Sequence, residues 1–181
     1  MWLNEMNKNK KIIRLIIDTL IITVLVWLDH LTKNMAVENL KNQRAFILIE
    51  NVFELNYLEN RGAAFGVFQN QKTMFLITGT IMLAIVIYVL LRLPKGKKYT
   101  FLEMAMILIA AGAIGNMIDR ISQGYVVDFF YFVLINFPIF NVADVYVTVS
   151  CILLAVLILF VFKDEELSFL DPRKSKKKEQ I

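Results

Sequence analysis

Three uncharged apolar stretches, residues 73–91, 104–118 and 145–162, constrain this chain more than any single motif. About 20 mostly apolar residues cross a bilayer as a helix, and soluble domains seldom gather apolar residues into such runs. An earlier stretch, residues 12–28, is interrupted by Arg14 and Asp18. Of the 181 residues 57% are hydrophobic, and the mean hydropathy of +0.58 is reached because that excess sits in the runs. The expectation is a single all-α integral membrane domain with four transmembrane helices, at about residues 12–32, 73–92, 101–120 and 142–162.

The distribution of Lys and Arg orients these spans. Lys8, Lys10, Lys11 and Arg14 precede or open the first, and Arg92, Lys95, Lys97 and Lys98 lie between the second and third. Lys163, Arg173, Lys174, Lys176, Lys177 and Lys178 lie in the tail, residues 163–181. Positive charge collects on the cytoplasmic side, so both termini are expected there, with outer loops at 36–72 and 121–140. The first span carries no small-x-small cleavage site, and Asp29 and Lys33 stand at its end, so it reads as a span rather than a cleaved signal. The net charge of +4 resides at membrane boundaries, which argues against nucleic acid as a partner. The single cysteine, Cys151, excludes an internal disulfide and reads as a small buried hydrophobe of the fourth span.

The outer loops read differently. Phe53, Leu55 and Tyr57 alternate with Glu54 and Asn56, a period of two that predicts a strand, and Arg61-Gly62 follows as a turn. A small sheet on the outer membrane face is therefore expected. The second loop, with Phe129, Phe130, Tyr131, Phe132 and Phe137, reads as an aromatic interfacial segment.

Polar residues gather at the outer ends of the spans, where a carboxylate usually faces a bundle interior or a wet cavity. Asp29 and Lys33, four apart, read as an ion pair that locks the first span. Asn116, Asp119 and Arg120 share a face, and Asp119 is expected to pair with Arg120, which would make it a poor proton donor. Asn141 and Asp144 are three apart at the start of the last span. Asn60 precedes the small-residue run Gly62-Ala63-Ala64-Phe65-Gly66, which allows close backbone approach. Asn116 and Asn141 suit either helix capping or a site. Asp128 and Asp144 stand apart, since apolar neighbours on both sides favour the neutral acid that one member of a catalytic pair needs. Asp18 is expected to pair with Arg14 on the cytoplasmic half.

One histidine, His30, leaves little for a His-rich zinc site or a Ser-His-Asp triad, and neither HExxH nor a phosphate loop is present. The leading reading is a membrane aspartic peptidase. A proton-coupled carrier would spread its carboxylates through the membrane depth, and a scaffold has no use for two apolar-flanked aspartates.

The motifs resemble the bacterial lipoprotein signal peptidase family (signal peptidase II). The blocks that carry the resemblance are Asp29-His30-Leu31-Thr32-Lys33, Asn60-Arg61-Gly62-Ala63-Ala64-Phe65, Gly115-Asn116-Met117-Ile118-Asp119-Arg120, Val126-Val127-Asp128-Phe129 and Phe140-Asn141-Val142-Ala143-Asp144. The resemblance implies a four-helix bundle of the bacterial cytoplasmic membrane with an extracytoplasmic sheet that cradles substrate. It implies Asp128 and Asp144 as the catalytic pair, no metal and no cofactor. It also implies cleavage of diacylglyceryl-modified prolipoproteins just before the lipidated cysteine, by an enzyme whose partners are that substrate and membrane lipids and which is expected to be monomeric. Asn60, Gly62, Asn116, Asp119, Arg120, Asn141, Asp29 and Lys33 are then expected to hold substrate or the pair in register. His30 and Ser150 depart from the family's usual glutamine and glycine.

Overall fold

The computed structural model describes residues 2–63 and 67–171. Ala64, Phe65 and Gly66 of the small-residue run, and the basic tail beyond Asp171, lie outside the described residues. The chain runs α1 (Trp2–Leu40), β1 (Phe46–Ile49), β2 (Phe53–Asn60), α2 (Lys72–Arg92), α3 (Thr100–Ser122), β3 (Val126–Phe132) and α4 (Val142–Val156). Between its ends α1 contains neither glycine nor proline, so nothing interrupts it until Asn42 adopts a left-handed conformation at φ 61°. The helix is therefore longer than the 12–32 expected from apolar length. Residues 36–40 belong to it rather than to the outer loop, because Glu38 and Asn39 are compatible with a helix although not with lipid. Likewise α3 extends to Ser122, and α4 continues as a π turn, Leu157–Val161.

Among the described residues three helical segments are long and apolar enough to cross a membrane: Lys72–Arg92, Lys97–Ser122 and Val142–Val161. Half of the apolar window of the middle one is buried, against 11% for each of the others, which makes α3 the central helix. Its close packing needs small residues. A Cβ on Gly112 would lie 2.6 Å from the Ala143 carbonyl oxygen of α4, and one on Gly115 would lie 2.6 Å from an Asp29 carboxylate oxygen of α1.

Charged residues keep α1 out of that apolar set, yet they share one face. Asp18, Asp29, Lys33, Ala36 and Leu40 are all buried and follow a helical period, while Ile13, Ile17, Leu20, Val24 and Trp27 on the opposite side are exposed. Arg14 does not pair with Asp18. It forms its ion pair with Glu103 of α3 and donates to the Pro94 carbonyl, and the buried Asp18 Oδ2 has no hydrogen-bond partner among the described residues. Sequence spacing placed Arg14 and Asp18 on one face but could not show that a cross-helix carboxylate was nearer. Cys151 is exposed, not buried, on the outer surface of α4.

The predicted strand is β2, and it is the middle strand of an antiparallel sheet ordered β1-β2-β3. Its third member, β3, lies in the segment expected to be merely interfacial, which corrects that reading. The run Val126–Phe129 is buried on both sides, so its residues are apolar throughout apart from Asp128 and give no alternation to detect. The register shifts by one between Leu55 and Leu58, leaving one extra residue on β2. Beyond that bulge Leu58 faces Asp128 and Asn60 faces Val126, so Asn60 and Asp128 are diagonal neighbours on one face. Phe129 and Phe130 both donate backbone N–H to the Phe140 carbonyl, at 3.0 and 2.9 Å, which fastens the entry to α4 against β3.

Candidate active site

Lys33 organises the buried polar residues between α1 and α3. Its Nζ lies 2.7 Å from Asp29 Oδ2 and 2.8 Å from Asp119 Oδ2, and it donates to Asn116 Oδ1 at 3.0 Å. Asp29 and Lys33 do form the expected ion pair, and Lys33 extends it across the helix interface. Asp119 does not pair with Arg120 as expected; its cation is Lys33, with His30 Nδ1 3.6 Å from its other oxygen. Adjacent residues on a helix point about 100° apart, so Asp119 faces α1 while Arg120 faces Phe75 of α2 and the turn after β2. Asp29 Oδ1 accepts the Ala143 backbone N–H at 2.9 Å, one of the unpaired donors in the first turn of α4. A buried carboxylate near a helix N-terminus is favoured by the dipole as well as by its lysine.

Asparagines carry this order outward. Asn116 Nδ2 donates to Asp144 Oδ1 at 2.8 Å. Asn141 caps α4 reciprocally: its side-chain oxygen accepts from Asp144 N, and its own N–H donates to Asp144 Oδ2 at 3.1 Å. The same Asn141 donates through Nδ2 to Asn116 Oδ1 at 3.2 Å and to Asp128 Oδ1 at 2.6 Å. Asp128 Oδ2 accepts from Asn60 Nδ2 at 2.8 Å, while Asn60 Oδ1 accepts from Gly62 N. Capping and site-building, read as alternatives for Asn141, are thus combined in one side chain. Every carboxylate oxygen of Asp128 and Asp144 has a donor, and a single asparagine bridges the two acids.

Asp128 and Asp144 line one cavity of about 540 Å³, together with Asn60, Asn116 and Arg120 at its polar end. Phe75, Met82, Met117 and Val145 make its apolar wall. Asp29, Lys33 and Asp119 lie behind the wall and not on it. Arg120 donates to the Gly62 carbonyl at 3.1 Å and the Asn116 carbonyl at 3.3 Å, and its guanidinium sits 4.4 Å from the Phe75 ring centre. It thereby holds the 61–63 turn over the cavity. Sequence reasoning missed Phe75, which no polar signal marks. The Gly112-x-x-Gly115 spacing, which lets the helices close on the site, is visible in the sequence as a helix-contact signal.

Charge at the site is unbalanced. Four carboxylates, Asp29, Asp119, Asp128 and Asp144, face Lys33 and Arg120, and Lys33 is in direct contact with the first two. The surplus negative charge falls on Asp128 and Asp144. Burial first, and then the neighbouring Asp144, push the Asp128 carboxyl up to about 7, against hydrogen bonds from Asn60 and Asn141 that lower it. Burial thus favours the neutral form of Asp128.

Similarity to known proteins covers this region. A family model described as "Signal peptidase (SPase) II" matches residues 21–160. A lipoprotein signal peptidase of Clostridioides difficile (strain 630) is 43% identical over 141 residues, covering 78% of this chain and 93% of that protein. One from Caldanaerobacter subterraneus subsp. tengcongensis is 46% identical over 142 residues, covering 77% and 94%. A solved bacterial membrane enzyme superposes with a TM-score of 0.68 at 32% identity, covering 80% of this chain and 94% of its own.

Proposed function

The chain belongs to the signal peptidase II family, and from that premise we propose that it cleaves signal peptides from lipid-modified prolipoproteins with Asp128 and Asp144 as its catalytic pair. The observation that carries this reading is the bridging of these two carboxylates by Asn141 at the end of one cavity. Asp119 has its charge engaged by Lys33 outside that cavity, which favours Asp128 as the partner of Asp144.

The pair works with one proton between its two carboxyls. One member, neutral, hydrogen-bonds to the scissile carbonyl oxygen, while the other, ionised, accepts a proton from a water. The water oxygen bonds to the carbonyl carbon, giving a tetrahedral gem-diol as the carbonyl oxygen takes the first member's proton. The proton now on the second member passes to the amide nitrogen as the C–N bond breaks. A gem-diol proton returns to the first member, leaving a carboxylic acid and an amine. The two titrations belong to the pair rather than to either residue alone. Arg120, with Gly62 and Asn60 above it, positions the peptide against the acids.

Four spans remain the favoured arrangement. Asp18, Asp29 and Lys33 of α1 are turned inward and the opposite face is largely apolar, so this helix suits lipid as the other three do. The termini and the Arg92–Lys98 region lie in the cytoplasm, the sheet lies on the outer face of the bacterial membrane, and the enzyme acts as a monomer. The substrate's acyl chains reach the cavity from surrounding lipid. Purified enzyme in bilayers should cleave a diacylglyceryl-modified prolipoprotein and leave the unlipidated form essentially intact. Equal cleavage of both would refute the lipid requirement.

A further inference from the structure

A second cavity, about 1000 Å³ in volume, shares no lining residue with the catalytic one. It lies between the outer end of α1 and the sheet, and one wall runs along α1 from Thr32 to Leu40, about 12 Å at 1.5 Å per residue. Met35, Leu40, Phe46 and the adjacent rings of Phe129 and Phe130 make it apolar for most of that length. The Thr32 hydroxyl is already committed to the Asp29 carbonyl at 2.8 Å, so the inner end offers no free donor. Leu28, Leu31 and Met35 are exposed beside it, so the groove is continuous with the lipid-facing side of α1.

The other end differs in kind. Gln43 and Arg44 line it where the chain leaves α1, and no carboxylate is among the described residues that line the groove. Arg44 is exposed and has no ion pair or side-chain hydrogen bond among the described residues, whereas nearby Lys41 is paired with Glu59. In the four-span arrangement proposed above, on which this inference rests, the slot opens to lipid and its exposed guanidinium lies on the outer face, which is the chemistry of one ligand class. We propose that this groove binds an anionic glycerophospholipid of the surrounding bilayer, with one acyl chain against Met35, Phe46 and Phe129 and the phosphate on Arg44.

The test uses the purified full chain in detergent, equilibrated with phosphatidylglycerol or phosphatidylcholine of the same chain length, with retained lipid counted by native mass spectrometry. Wild type should retain phosphatidylglycerol in preference. Arg44→Gln should weaken that retention about 10-fold by removing a charge-assisted hydrogen bond, with Arg44→Lys partly restoring it. Met35→Trp, at a half-exposed position, should displace both lipids by filling the slot. Unchanged melting temperatures for the variants in lipid-free detergent would confirm that they fold. Equal retention of the two lipids by wild type would overturn the proposal, as would undiminished phosphatidylglycerol in Arg44→Gln. So would displacement of the bound lipid by a lipidated prolipoprotein, which would assign the groove to substrate, or appearance of dimer masses in place of lipid adducts.

Discussion

At the scale of single residues, the proposed cleavage turns on a proton shared by Asp128 and Asp144. Asp128 is pushed from 3.8 to about 7 by burial and by Asp144, so in the native chain it holds a proton that the unfolded chain has released over that interval. Its contribution to stability is present in full below the unfolded value and is lost as pH rises through the folded one. The stability of wild type relative to Asp128→Asn should therefore decline between pH 4 and pH 7 in thermal melts. Under the proposed mechanism activity should fall once rising pH removes the last proton from the pair, because a fully ionised pair has no acid to offer the carbonyl. A kcat/KM that rises from pH 7 to pH 9 would contradict this. The acids were legible in the sequence because apolar neighbours isolate them. Their partners were not all legible: the choice of Lys33 over Arg120 for Asp119 depends on which way two adjacent residues point from α3, and that requires the tertiary arrangement.

At the scale of elements, the site depends on how closely α3 and α4 approach. A Cβ on Gly112 would meet backbone at 2.6 Å and the Val147 side chain at 2.7 Å, so Gly112→Ala must push the helices apart. That shift also moves Asn116 relative to Asp144, which are held at 2.8 Å. Overpacking of this kind costs about 1–3 kcal/mol, so both the melting temperature and turnover should drop. Gly79→Ala is the contrast: its Cβ would meet chiefly the Met117 side chain, which can rotate away, and the melting temperature should change much less. Equal melting temperatures for the two variants would show that the α3–α4 approach is not tight. The helices were legible from hydropathy, and β2 from its alternation. The strand β3 was hidden because a strand buried on both faces has no alternation, and its pairing with β2 joins residues 68 apart, as Asn60 and Asp128 illustrate.

At the scale of the whole molecule, the inward-facing charges of α1 join a sheet and two helices at one end of the bundle, and a basic segment marks the other. Reporter fusions at Lys97 and Glu50 should therefore report opposite sides of the membrane, and the same side for both would remove the four-span arrangement. In the proposed mechanism one acid pair at the outer end performs the cleavage. The decisive measurement is turnover of a lipidated prolipoprotein by purified Asp128→Asn, Asp144→Asn, the double variant and Asp119→Asn. Each of the first two should abolish cleavage, and the double variant should be scarcely worse, because residues that act as a unit lose function non-additively. Asp119→Asn should fold less stably, since it leaves Lys33 with one carboxylate fewer, yet keep residual cleavage. Near-normal cleavage by Asp128→Asn, with none by Asp119→Asn, would contradict the account and assign the second acid to Asp119.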